Sequence, residues 1–146
     1  MQIEQSSGVE GEDLVDTLVQ TAFAVMAVLT RIAAGHDVSL TQLRVFGILR
    51  DRRLRMAELA EFLGLDRSTM TGLVDRAERR GLLERGRNAD DGRAVDVYMT
   101  PAGSALAVKV DAEVRRALNP LTGRLDATQR RTLAPLLGGM LDQPND

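Results

Sequence analysis

A helical period of hydrophobic positions opens the chain. Leu14, Leu18, Ala22, Met26 and Leu29 recur at helical spacing, and Val15, Val19, Val25 and Ile32 widen the stripe, which predicts a helix from about residue 12 to residue 34. That apolar face is broader than a solvated surface helix needs, and a second copy of the chain would cover it. Gly35 marks its end. Ser39 then offers a capping hydroxyl with Gln42 three residues on, predicting a second helix that turns Leu43, Phe46 and Leu49 inward. Arg50 to Arg55 reads as a charged connector, and Met56 to Leu63 as a third helix with Leu59, Ala60 and Leu63 on one face. Gly64 stops that helix, Asp66 caps a fourth from Arg67 to about Arg80, and Gly81 ends it.

From Leu82 the period changes to two. Leu83 to Arg87 and Ala94 to Thr100 read as strands, with Val95, Val97 and Met99 alternating with Asp96 and Tyr98, and residues 88–92 have the composition of a hairpin tip. Thr100-Pro101 is a helix start, and Leu106, Val110 and Val114 form the stripe of a helix reaching about Leu118, where Asn119-Pro120 is expected to break it. Asp126 with Gln129 opens a last helix, in which Pro135 and Gly138-Gly139 predict a kink or an early end. The fold class is therefore mainly α, an α+β arrangement of six helices with a two- or three-stranded sheet. It divides into residues 1–38, a tail and long helix; 39–100, the helices and ribbon; and 101–146, the C-terminal helices of one continuous subunit.

Composition narrows the chemistry. The 146 residues, 44% hydrophobic and 27% charged, suit one ordinary domain. Three Phe, one Tyr and no Trp argue against stacking platforms for single-stranded nucleic acid. With no Cys and only His36, neither disulfides nor a thiolate or Cys/His metal site can form, and no cofactor or metal is expected. No nucleophile elbow, phosphate-cradling loop or paired acidic motif is present, so no catalytic residue is assigned. The start is polar and acidic where a secretory signal is basic then apolar. The longest uninterrupted apolar run, Ala22 to Leu29, falls short of the roughly 20 residues of a membrane span, so a cytoplasmic chain without a membrane partner is expected.

The net charge of −2 hides an asymmetry: residues 1–40 hold one Arg against six carboxylates, whereas 41–100 hold twelve Arg against ten. All basic residues but Lys109 are Arg, whose planar forks suit bidentate phosphate and base contacts. Leu59, Ala60, Gly64, Leu65, Met70 and Leu73 occupy the offsets of a helix-turn-helix, in which glycine allows the left-handed turn and alanine the close helix crossing. A generic αα-hairpin accounts for the same spacing. With those residues buried, the fourth helix presents Arg67, Ser68, Thr69, Thr71, Gly72, Asp75, Arg76 and Arg79, a set small and basic enough for a major groove. A solvated face with Asp75 paired to Arg79 is the plainer reading. Arg85, Arg87 and Arg93 lie on or near the ribbon, where an Arg can enter the adjacent minor groove, or where Arg93 pairs with Asp90, Asp91 or Glu84.

The run Leu65 to Arg85, LDRSTMTGLVDRAERRGLLER, followed by Asp90 to Gly103, DDGRAVDVYMTPAG, resembles the winged helix-turn-helix core of the MarR family of bacterial transcriptional regulators. The most specific piece is Asp91-x-Arg93 with Val97, Thr100 and Gly103. The resemblance implies a homodimer joined through its N- and C-terminal helices, reading a pseudo-palindromic operator in double-stranded DNA, most often as a repressor. It implies that Ser68, Thr69, Thr71, Gly72 and Arg76 face the major groove beside Arg67, that Arg93 and Arg87 serve the wing, and that Asp75 and Asp91 organise it. Gly72, Pro135 and Gly138-Gly139 depart from the family pattern. Many members release DNA when a small aromatic or anionic effector enters the crevice between the dimer helices and the winged domain. Phe23, Met26, His36, Arg44 and Phe46 come from the elements that would line it. The rival reading is a winged helix that binds protein and not DNA; a basic, hydroxyl-rich fourth helix speaks for DNA.

Overall fold

The computed structural model describes residues 6–142, and side chains from residue 13; the first five residues of the acidic tail and the last four of the chain lie outside it. The elements run α1 (Ser6–Gly35), α2 (Leu40–Ile48), β1 (Leu54–Arg55), α3 (Met56–Leu63), α4 (Arg67–Arg79), β2 (Leu83–Arg87), β3 (Val95–Met99), α5 (Pro101–Thr122) and α6 (Ala127–Leu141). Among the described residues six helices thus accompany a small antiparallel sheet of order β1-β3-β2.

Local chemistry sets most of the boundaries. The Ser39 hydroxyl accepts from the Gln42 amide at 3.0 Å while the Gln42 side chain accepts from the Ser39 amide at 2.9 Å, closing a reciprocal cap on α2. Asp66 caps α4, Thr100 caps α5 ahead of Pro101, and Asp126 with Gln129 repeats the reciprocal cap on α6. Gly64 ends α3 at φ 65°, a backbone conformation that a side chain would strain, and so permits the sharp turn into α4. Leu59, Met70, Val74 and Val97 are almost wholly buried between α3, α4 and the sheet, so the helix pair and the wing share one core with Val45, Phe46 and Leu49 of the second-helix region.

Five features depart from the sequence expectations. The supposed connector contains β1, whose Leu54 pairs with Val97, so the wing has three strands. The first helix begins earlier, at Ser6. Pro120 does not break α5, because it is the third residue from the helix end, where one lost backbone bond leaves little helix beyond it to disrupt. Likewise α6 runs through Pro135 and Gly138-Gly139 to Leu141, its start fixed by the reciprocal cap and its glycines adopting helical backbone at an entropic cost only. On β3 the alternation is broken as well. Val97 is buried but Val95 is exposed, and Asp96 is buried in its place.

α1 packs against α5 and α2 through the side that carries Val25, Val28, Leu29 and Ala33. Nearer its start the helix leaves Leu14, Val15, Leu18, Val19 and Phe23 exposed. Polar interruptions shorten each apolar run, yet Asp13–Gly35 reaches a mean hydropathy of 1.6 over its most apolar window. By length and composition it is long enough to cross a membrane, which the run-length argument did not detect. The α1–α2 linker is held from below: Arg80, at the C-terminal end of α4, donates from Nη1 to the Asp37 carbonyl at 2.8 Å and from Nη2 to the His36 carbonyl at 3.0 Å. Asp37 itself has φ 55°, a left-handed conformation that Asp tolerates better than most residues.

Candidate nucleic-acid interface

The outer face of α4 carries Arg67, Ser68, Thr69, Thr71 and Arg76 exposed to solvent, with Gly72 half-buried among them. Burying Met70, Leu73, Val74 and Ala77 against the core leaves these positions no other direction. At the helix start the Asp66 carboxylate accepts the Thr69 amide at 2.7 Å and the Ser68 hydroxyl at 2.9 Å, while the Thr71 hydroxyl bonds back to the Arg67 carbonyl at 2.8 Å. Ser68 and Thr71 are thereby held in fixed rotamers.

Arg85 on β2 ties the wing to α4. Its guanidinium meets Asp75 at 2.5 Å, also contacts the Glu78 carboxylate, and reaches the Thr71 carbonyl at 3.5 Å. Asp75 therefore faces Arg85, and Arg79 bonds only the Asp75 carbonyl, at 3.3 Å. Sequence reading placed Arg85 on the ribbon without assigning it this role; the i-to-i+10 spacing gives no local signal for it. At the tip, the Asn88 side-chain carbonyl accepts the amides of Asp90 and Asp91 at 3.0 and 2.9 Å, and the Asp91 carboxylate accepts the Arg93 amide at 3.0 Å. Asp91 thus holds the Arg93 backbone and leaves its guanidinium outward. Among the described residues, the side chains of Arg67, Arg76, Arg87 and Arg93 make no ion pair. Arg67, Thr71, Arg85 and Arg93 line a single cleft of about 770 Å³ between the wing and α4.

Residues 36–94 match the profile described as the MarR family, and they contain the whole of the helix pair and most of the wing. Over that segment the chain is similar to the MarR family. It is 34% identical over 83 residues to the HTH-type transcriptional regulator YfiV of Bacillus subtilis, which is 51% of this chain and 52% of that protein. Against the HTH-type transcriptional repressor YetL of the same species it is 31% identical over 75 residues, 49% of this chain and 45% of the relative. These matches span about half the length of the curated relatives. A crystal structure of a cysteine-to-serine variant of MarR from E. coli, complexed with operator DNA, superposes with a TM-score of 0.69 at 26% identity, over 90% of this chain and 96% of that one.

The chain has a second concavity, of about 600 Å³, enclosed by α1, α2, α5 and the α3–α4 turn. Met26, Arg44 and Phe46 line it, in a wall that is mostly apolar and includes Leu29, Leu43 and Val110. Two of the expected residues are elsewhere. Phe23 is 67% exposed on α1 and does not line the concavity, and the His36 ring nitrogen Nε2 lies 3.0 Å from the Glu113 carboxylate, fastening the linker to α5. Asp111 at the rim pairs with Arg115 at 2.8 Å and with Arg50 at 3.4 Å, whereas Arg44 has no ion pair among the described residues. Among the described residues no cluster of three or more His, Cys, Asp or Glu could hold a metal ion.

Three carboxylates are held below the ordinary range for Asp: Asp66 by the Thr69 amide, Asp96 by the Asn88 amide and then Arg53, and Asp111 by Arg115. Each lowered value favours the folded state above the unfolded pKa, and that contribution disappears as pH falls through the folded one. Urea midpoints measured from pH 6 to pH 3 are therefore expected to be flat at first and to fall below about pH 4. A rise in stability on acidification would contradict all three assignments.

Proposed function

We propose that the protein is a transcription regulator that binds double-stranded DNA as a homodimer, most simply as a repressor, and that a small aromatic or anionic effector releases it. The observation that carries this reading is the cleft in which Arg67 and Thr71 of α4 meet Arg93 of the wing, the guanidiniums of Arg67 and Arg93 being free of ion pairs among the described residues and so open to phosphate or base edges. A recognition helix of small hydroxyl residues can sit deep in a major groove while the wing Arg reaches the neighbouring minor groove, where negative potential is concentrated. In a dimer the two copies of α4 would address half-sites about 34 Å apart. The likeness to MarR from E. coli, crystallised with operator DNA, supports the binding of duplex DNA.

The cavity beside α2 supports the effector step, since an apolar wall with the one unpaired cation Arg44 suits a flat molecule bearing an acid. Phe46 and Met26 would contact such a ring, while Phe23 and His36 would not.

The test is a titration of the protein against its own upstream intergenic DNA and a scrambled duplex at two salt concentrations. Sequence-dependent binding of one dimer per site, weakening steeply with salt, is expected. Arg93→Ala should cost about 1–3 kcal/mol in binding across sequences and make the salt dependence shallower. Equal, weak binding to both duplexes by the unaltered protein would instead favour a protein partner for the winged face.

A further inference from the structure

The base of the wing contains a polar node that the proposed interface does not use. Asp96 lies on the central strand, opposite Gly86 of β2 and Arg55 of β1, and is only 5% exposed. One of its oxygens accepts Arg53 Nε at 3.0 Å and the other accepts Asn88 Nδ2 at 2.9 Å. The Arg53 guanidinium also lies over the Tyr98 ring, 4.3 Å from its centre, and reaches the Arg87 carbonyl at 3.4 Å. Gly86 leaves the room for this: a Cβ there would stand 2.9 Å from Arg53 Nη2 and 3.1 Å from Tyr98 Cε1. A buried carboxylate is costly unless charged donors satisfy it, and an apolar residue at this strand position would need none. Its retention of two donors from separate segments calls for a reason other than stability.

The hydrogen bonds continue beyond Asp96. Asn88, gripped by Asp96 through its amide nitrogen, uses its amide oxygen to hold the Asp90 and Asp91 backbone, and Asp91 in turn holds the Arg93 backbone. An unbroken series thus runs from Arg53, in the segment after α2, to the one wing residue proposed to touch DNA.

We propose that Asp96 is the positioning residue of the wing, orienting Asn88 and through it the tip, so that Arg93 is presented in one direction. The DNA consequence rests on the proposed function above, whereas the ordering of the tip does not.

Two variants of the full chain test it, each alone and with Arg93→Ala. Asp96→Asn removes the charge at nearly constant volume. Asn88→Ala leaves the Asp96–Arg53 pair intact and cuts only the link to the tip. Both should speed hydrogen exchange at the Asp90, Asp91 and Arg93 amides about tenfold while leaving α4 unchanged. Both should weaken duplex binding about tenfold when Arg93 is present and less than about twofold when it is Ala, because the contact being aimed is then gone. Unchanged tip exchange, or equal loss in the two backgrounds, would reduce Asp96 to an ordinary stabilising group and overturn the proposal. A wild-type chain that binds no duplex would sink the DNA reading and with it the aiming of Arg93, and tip exchange would then decide the ordering claim separately.

Discussion

Replacing Leu18 with glutamate is expected to convert the protein into a monomer and to weaken operator binding by about 100-fold or more. The reason lies in the face of α1 that the subunit itself does not cover. Leu14, Val15, Leu18 and Val19 form a ribbon two residues wide along the helix, and α6 adds Leu136, Leu137 and Met140, all substantially exposed. Exposed apolar surface on both helices favours the proposed homodimer, in which a second chain would cover it. A charge at Leu18 would have to be desolvated in that dimer and would remain hydrated in the monomer. Two tethered DNA-binding units gain most of their affinity from binding together, so the separated units lose far more than a single contact. Sedimentation and duplex titration of Leu18→Glu, with helix content followed by circular dichroism, check the expectation. A dimeric variant, or a folded monomer with full affinity, would remove α1 from the interface.

The second large effect concerns Gly103→Ala, which should lower stability by roughly 3 kcal/mol and the melting temperature by about 10 °C. In the first turn of α5 a Cβ at this position would lie 2.0 Å from the Leu82 carbonyl oxygen and 3.0 Å from its carbon. The obstacle is backbone, so no rotamer can relieve it. The same strand end is fixed by the Thr100 amide, bonded to the Leu82 carbonyl at 3.1 Å, and by the Thr100 hydroxyl on the Gly81 carbonyl at 2.6 Å. Moving α5 outward to admit one methyl group would break both. Calorimetry of the variant decides the matter: an unchanged melting temperature would mean that the joint between wing and α5 is softer than its geometry indicates.

What was legible in the sequence was local. Ser39 with Gln42, Asp66, Thr100-Pro101 and Asp126 with Gln129 each satisfy backbone groups within one turn, so residue type and spacing suffice to locate the helix starts. The exposed set on α4 followed from the same periodicity. What escaped depends on partners distant along the chain. β1 is two residues long and exists only through its pairing with Val97 and Asp96. Asp96 is buried because Arg53, 43 positions earlier, and Asn88 converge on it. His36 left the crevice because Glu113, 77 positions later, captures it. The prolines were over-read for the opposite reason: Pro120 falls where a helix is about to end, and the local rule ignores how few bonds remain to be broken.

Arg80 gives α4 a mechanical asymmetry. Its guanidinium clasps the two linker carbonyls at the C-terminal end of the helix, tying that end to the segment between α1 and α2, while the end bearing Arg67 to Thr71 is held by the turn at Gly64 and by the packing of Met70 in the core. A helix of 13 residues is about 20 Å long. Pivoting it by about 10° about the clasped end swings the far end by roughly 3.4 Å, the rise of one base pair. The helix is therefore shaped as a lever with its fulcrum at the α1–α2 linker, and under the proposed function a modest rotation about that point would carry its far end out of register with a duplex.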